Sequence, residues 1–174
     1  MKFKTKNLVT AGLLLALGII LPTIVHMSGI NGAMFLPMHI PVLIAGLTLG
    51  STYGLIVGVL LPIINHLLTG MPPIPNYWIM IVELALYGLV SGFLYNKTKK
   101  NLWLSLIISM IVGRIGGALM VLILGRGFGI KAIPPLGGYL KVITLTALPG
   151  IIIQLILIPM IVKAYEKNRD SMIW

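Results

Sequence analysis

"FLPMHIPVLIAGLTLGSTYGLIVGVLLPIINHLLTGMPPIP", residues 35–75, is the stretch on which the fold of this chain turns. It is apolar almost throughout, yet it opens with Pro37, His39 and Pro41 and closes with Asn65, His66, Pro72, Pro73 and Pro75. Between these ends, Gly46, Gly50, Gly54 and Gly58 recur every four residues. Pro37 fits a first helical turn, but Pro41 clashes with the carbonyl four residues back, so residues 37–41 are expected to be distorted. Backbone groups freed at membrane depth persist only against protein or a water-filled cavity. Glycines at a spacing of four make a smooth ridge along which helix backbones approach closely. One end of the stretch therefore reads as a site and the other as a packing surface.

The rest of the chain has the same character. Of 174 residues, 58% are hydrophobic and only 9% charged, against about 25% charged in soluble domains. A single core cannot hide that much apolar surface, so the chain reads as an integral membrane protein. Apolar spans fall at 7–26, 36–50, 53–69, 77–95, 102–124 and 140–164. A crossing needs about 20 residues. The short second span is either a tilted partial span or half of a re-entrant hairpin. Six crossings are expected, forming one all-α membrane domain over residues 1–174. Residues 1–7, "MKFKTKN", lead into a first helix that is expected to be retained rather than cleaved.

Six crossings put both termini on one side. That side gathers Lys2, Lys4, Lys6, Lys97, Lys99, Lys100, Lys163, Lys167 and Arg169, against Arg126, Lys131 and Lys141 on the other. The excess of cations marks the first side, with both termini, as cytoplasmic. The outer loops are then 27–35, 70–76 and 125–139. The net charge of +10 is thereby a topology signal, and nucleic acid is not an expected partner.

Only Glu83 and Arg114 place a full charge deep within a span, the other acids being Glu166 and Asp170 in the tail. Groups at such depth cost at least about 2.5–3.5 kcal/mol each, so they face a cavity or each other. Glu83 lies about 9 Å below the outer start of its span, and Arg114 about 15 Å below the outer end of its own. His39, Asn65, His66, Asn76, Tyr77 and Trp78 fall at the same outer level, and His26 ends the first span there. This clustering in the outer half, over an inner half of plain packing residues, predicts an outward-facing ligand pocket. Two readings of the charged pair stay open: a structural Glu83–Arg114 bridge, or ligand contacts. Tyr77 and Trp78 also suit an interfacial aromatic belt.

Chemistry beyond binding finds no support in the motifs. There is no phosphate loop, no H-E-x-x-H and no G-x-S-x-G. The histidines at 26, 39 and 66 lack metal-ligand spacing. There are no cysteines. Neither an enzyme, nor a cofactor, nor a metal site is expected. Gly88 with Gly92, Gly113 with Gly117, and Gly12 with Ala16 repeat the small-xxx-small spacing of the 46–58 ridge. Each pair suits helix packing within the chain or a smooth face for another membrane subunit, and helix 1 is the best placed for the latter.

The 35–75 block, followed by "ELALYGLVSGFLY" and preceded by "GLLLA" (Gly12, Ala16), resembles substrate-binding S components of the energy-coupling factor (ECF) vitamin transporters. Gly12 replaces the first alanine of the usual Ala-xxx-Ala in helix 1. The resemblance implies a prokaryotic membrane subunit that binds one micronutrient in an outer cavity capped by the loops after helices 1, 3 and 5. It also implies docking, through Gly12 and Ala16, on a T subunit driven by two ATPases. It does not identify the vitamin. Pantothenate is favoured, because its carboxylate would partner Arg114. Pyridoxine or pyridoxamine, meeting Glu83, is the next choice. A solitary carrier or channel without an ATPase is the alternative outside the family.

Overall fold

Pro22, Pro62 and Pro159 lie inside long helices, and each leaves the carbonyl four residues earlier without its helical N–H donor. For Pro22 that carbonyl belongs to Gly18, and the Asn65 side-chain amide donates to it across the helix boundary at 3.1 Å. Such a repair is what an apolar environment requires of a kinked span.

A computed structural model describes residues 5–29, 31–98 and 101–171, with side chains to residue 168. Lys2, Lys4, Lys99 and Lys100, and the side chains of Arg169 and Asp170, lie outside the described residues. Among those described there are helices and no strand: α1 (Thr5–Met27), α2 (Gly32–Phe35), α3 (His39–Leu49), α4 (Ser51–Thr69), α5 (Asn76–Gly92), α6 (Leu102–Leu122), α7 (Leu136–Lys141) and α8 (Leu148–Ser171). Helices α5, α6 and α7 each run on into a five-residue π-helical turn, at Phe93–Lys97, Ile123–Gly127 and Val142–Thr146. Among the described residues six segments are long and apolar enough to cross a membrane: Thr5–Met27, Gly32–Leu49, Ser51–Thr69, Asn76–Lys97, Leu102–Gly127 and Leu148–Asn168. The protein's outer surface is correspondingly apolar, with Leu8, Leu13 and Ile24 of α1 and Met160 of α8 exposed.

The second span is broken where the prolines cluster, at residues 36–38, which overlaps the start of the expected 37–41. Leu36 takes a left-handed conformation (φ 50) and ends α2 by donating its N–H to the Gly32 carbonyl. Helix α3 then starts at His39, so Pro41 is its third residue. There its missing N–H has no intrahelical acceptor to lose and residue 37 lies outside the helix, so the expected clash does not arise. Gly150 lets α8 close against this break: a Cβ there would stand 2.7 Å from the Met34 carbonyl oxygen.

Helix α3 is the centre of the bundle, with Val42, Leu43 and Ala45 wholly buried. Gly50 alone joins it to α4, at φ 100, a conformation that favours glycine. The glycine ridge turns inward. A Cβ on Gly54 would lie 2.7 Å from the Gly46 Cα and closer still to the Gly88 carbonyl, and one on Gly92 would lie 2.6 Å from the Ser51 Cα. Backbones of α3, α4 and α5 thus touch directly, the intrachain use of small-xxx-small spacing. Gly12 is different: a Cβ there meets nothing within 4 Å, and Gly12 and Ala16 are both exposed.

The end of the bundle near Lys97 is not made of plain packing residues, contrary to expectation. Asn96 donates to the carbonyls of Gly46 (3.1 Å) and Leu47 (3.0 Å), and the Tyr95 hydroxyl donates to Glu166 at 2.8 Å. Helix ends leave carbonyls that need such partners. Hydropathy along the chain does not reveal which side chain will supply one.

Candidate functional site

At the opposite end, the close of α1 and α4, the opening of α5, and parts of α2, α6 and α7 surround a cavity of about 600 Å³. This is within the usual range for small-molecule sites. Its walls are largely apolar, with Pro22, Met38, Ile79 and Met80 among them. Into this lining the fold brings a few polar groups.

Glu83 and Tyr87 are four residues apart and so share a face of α5. Glu83 is buried, with one carboxylate oxygen accepting from the Tyr139 hydroxyl at 3.1 Å. Its other oxygen lies 3.5 Å from His39 Nε2. The His39 ring stands edge-on to Tyr87, with centroids 5.0 Å apart. Arg114, half-buried on α6, donates from Nε to the Tyr87 hydroxyl at 3.1 Å. No ion pair within 4.0 Å joins Arg114 to Glu83, and Arg114's terminal nitrogens make no hydrogen bond among the described residues. The direct bridge, one of the two readings left open, is therefore absent, and Arg114's contact is with the Tyr87 phenol.

The hollow depends on α6 glycines. A Cβ at Gly113 would sit 3.0 Å from the Glu83 carbonyl oxygen. One at Gly117 would overlap the Tyr139 hydroxyl and stand 3.1 Å from the Glu83 carboxylate. This small-xxx-small pair brings α5 close and leaves room for a hydroxyl that arrives from α7. A separate apolar cluster of Ile79, Val121, Ile133, Tyr139 and Ile143 holds α7 and the loop before it over α5 and α6.

Of the residues expected in a pocket, His39, Asn65, Asn76, Glu83 and Arg114 line this cavity, as does His26. His66, Tyr77 and Trp78 do not. They form a stack beside it, with ring centroids 4.8 Å apart for His66–Tyr77 and for Tyr77–Trp78. His66 Nδ1 donates to the Pro72 carbonyl at 2.9 Å, which braces the 70–75 loop, where the Met71–Pro72 and Ile74–Pro75 bonds are cis. Asn65 reaches the wall, but its amide is engaged by the Gly18 and Leu61 carbonyls at 3.1 and 3.0 Å. Sequence reading missed Tyr87 and Tyr139. The spacing from Glu83 was signal enough for Tyr87. Nothing local marked Tyr139, which reaches Glu83 only through the packing of α7.

A bundle of apolar spanning helices around a small-molecule cavity, with single charged groups set in apolar walls, defines a membrane substrate-binding subunit. The family model for "ECF transporter, substrate-specific component" matches residues 6–162, and the chain belongs to that family. No curated protein and no solved structure matches this chain. The protein is thus a multi-pass membrane component for uptake of a specific substrate, and this family is not one of enzymes. Its members bind small molecules and work with a T subunit and ATPase modules.

Proposed function

We propose that this subunit captures pantothenate, or a closely similar carboxylated micronutrient, in the cavity and passes it to an ATP-driven ECF module. The observation that carries the reading is Arg114. Its side chain lines the cavity, Tyr87 fixes it through Nε alone, and the terminal fork remains for a ligand. That fork matches a carboxylate in two parallel hydrogen bonds. Glu83 supports a second reading, in which the amine or ring nitrogen of pyridoxamine or pyridoxine is the recognised group. The cavity faces the outside of a prokaryotic plasma membrane, and both termini are cytoplasmic, in keeping with the lysine excess at the other end. The whole chain acts as one membrane domain. His39, Asn76 and Glu83 complete the contacts, while His66 acts through the loop it braces, with Tyr77 and Trp78 stacked beside it.

Purified protein in detergent, screened by calorimetry against the common B vitamins, should bind pantothenate at a stoichiometry near one. Binding of another vitamin alone overturns the assignment of cargo. Transport in liposomes without any ATPase would make the protein a solitary carrier instead.

Docking on the T subunit is assigned to the exposed Gly12–Ala16 strip of α1. A bulky side chain meets no obstacle within the protein at Gly12. Gly12→Leu and Ala16→Trp should therefore abolish uptake by cells and leave vitamin affinity intact. Normal uptake by both variants removes the strip from the docking face.

A further inference from the structure

We propose that His39, together with Glu83, forms a second polar subsite that takes a hydroxyl of the cargo. The cargo is then a hydroxy acid held through two groups, not a plain carboxylic acid. This deepens the reading above and rests on Arg114 as the anchor of the carboxylate.

The motivation is an imbalance in the cavity wall. His39 is 3% exposed, yet neither ring nitrogen has a hydrogen-bond partner. Its Nε2 is 3.5 Å from Glu83 Oε1, beyond the range of a good N–H···O bond. The other buried polar side chains of the wall are engaged: Asn65 by Gly18 and Leu61, and Glu83 by Tyr139. Burying a ring nitrogen without a partner is unfavourable. The backbone nevertheless holds His39 in place, because its N–H donates to the Leu36 carbonyl at 3.1 Å where the chain restarts as α3.

The chemistry of the two groups selects what fits between them. Glu83 Oε1 is an acceptor beside an imidazole, which offers one donor and one acceptor when neutral. A hydroxyl can donate to the carboxylate while it accepts from the imidazole when Nε2 carries the proton. A second carboxylate on the ligand would meet the Glu83 charge and be repelled. An apolar group would leave both ring nitrogens bare. The pairing therefore fits a hydroxyl of the ligand, near Arg114, since Tyr87 touches both the His39 ring and the guanidinium.

Calorimetry on the full-length protein tests this with two probes: pantothenate, and its analogue in which hydrogen replaces the hydroxyls. The analogue should bind at least about tenfold more weakly to the wild type. His39→Phe, which keeps a flat ring without nitrogens but leaves Glu83, should narrow the gap between the two probes. Equal affinity of the probes for the wild type overturns the subsite and leaves the carboxylate anchor standing, whether or not His39→Phe folds. So does an undiminished preference for pantothenate in His39→Phe. If the wild type binds a different vitamin and not pantothenate, the cargo reading fails and the hydroxy-acid proposal falls with it.

Discussion

The two ends of the bundle treat their polar groups in opposite ways. Near Lys97, Asn96 closes the carbonyl end of α3, Tyr95 meets Glu166, and glycine backbones of α3, α4 and α5 touch with no space between them. At the cavity end, glycines also bring helices together, but Gly117 makes room for a hydroxyl, not for another backbone. There the His39 ring nitrogens and the Arg114 fork are left without hydrogen-bond partners among the described residues. The same small-residue spacing thus builds a rigid wall at one end and a hollow at the other. What differs is whether the facing element offers backbone or a polar side chain.

Point substitutions sharpen this contrast, and the greatest effect belongs to the closed end. Gly88→Val puts a branched side chain against the Gly54 backbone, which has no flexible atoms to yield. Overpacking of this kind should cost about 3 kcal/mol or more. In detergent it should appear as a large fall in melting temperature and loss of the monodisperse peak on gel filtration. A wild-type melting temperature would mean that backbone contact does not hold these helices.

At the cavity end the effect should move from stability to affinity. Arg114→Met should weaken pantothenate binding by about 2–5 kcal/mol, the range for truncating one partner of a buried hydrogen-bonded charge pair. The melting temperature should change little, because Arg114 makes one hydrogen bond within the protein. Adding Glu83→Gln should not restore binding, since the two are not paired. Recovery of affinity in the double variant, read as a double-mutant cycle, would show that they act on each other.

Asn65 stands between the two behaviours: it lines the cavity but is bonded to the protein. Asn65→Ala strips the Gly18 carbonyl of its donor and should cost about 1–3 kcal/mol of stability, with affinity nearly unchanged. A selective loss of affinity would reassign it to the ligand. The smallest effect is expected at Trp78, 48% exposed and outside the cavity. Trp78→Leu should change stability by no more than about 0.5 kcal/mol and leave calorimetric binding as it was.

The sequence by itself determined the class of this protein. Long apolar runs admit few structures in a bilayer, because each backbone polar group must be satisfied within the segment. It also determined that Glu83, Arg114 and His39 lie at one level, since depth along a helix follows from counting residues. Which way a side chain faces at that level was a tertiary decision. Asn65 and His66 are neighbours, yet one lines the cavity and the other braces the 70–75 loop. Pro22 freed the carbonyl of Gly18, but only the packing of α4 against α1 decided that Asn65 would satisfy it. Tyr139, separated from Glu83 by two loops and a whole helix, met it because α6 carries a glycine where a larger residue would have filled the space. Depth is set by local spacing. Partnership is set by which helix arrives opposite, and that depends on every contact in the bundle at once.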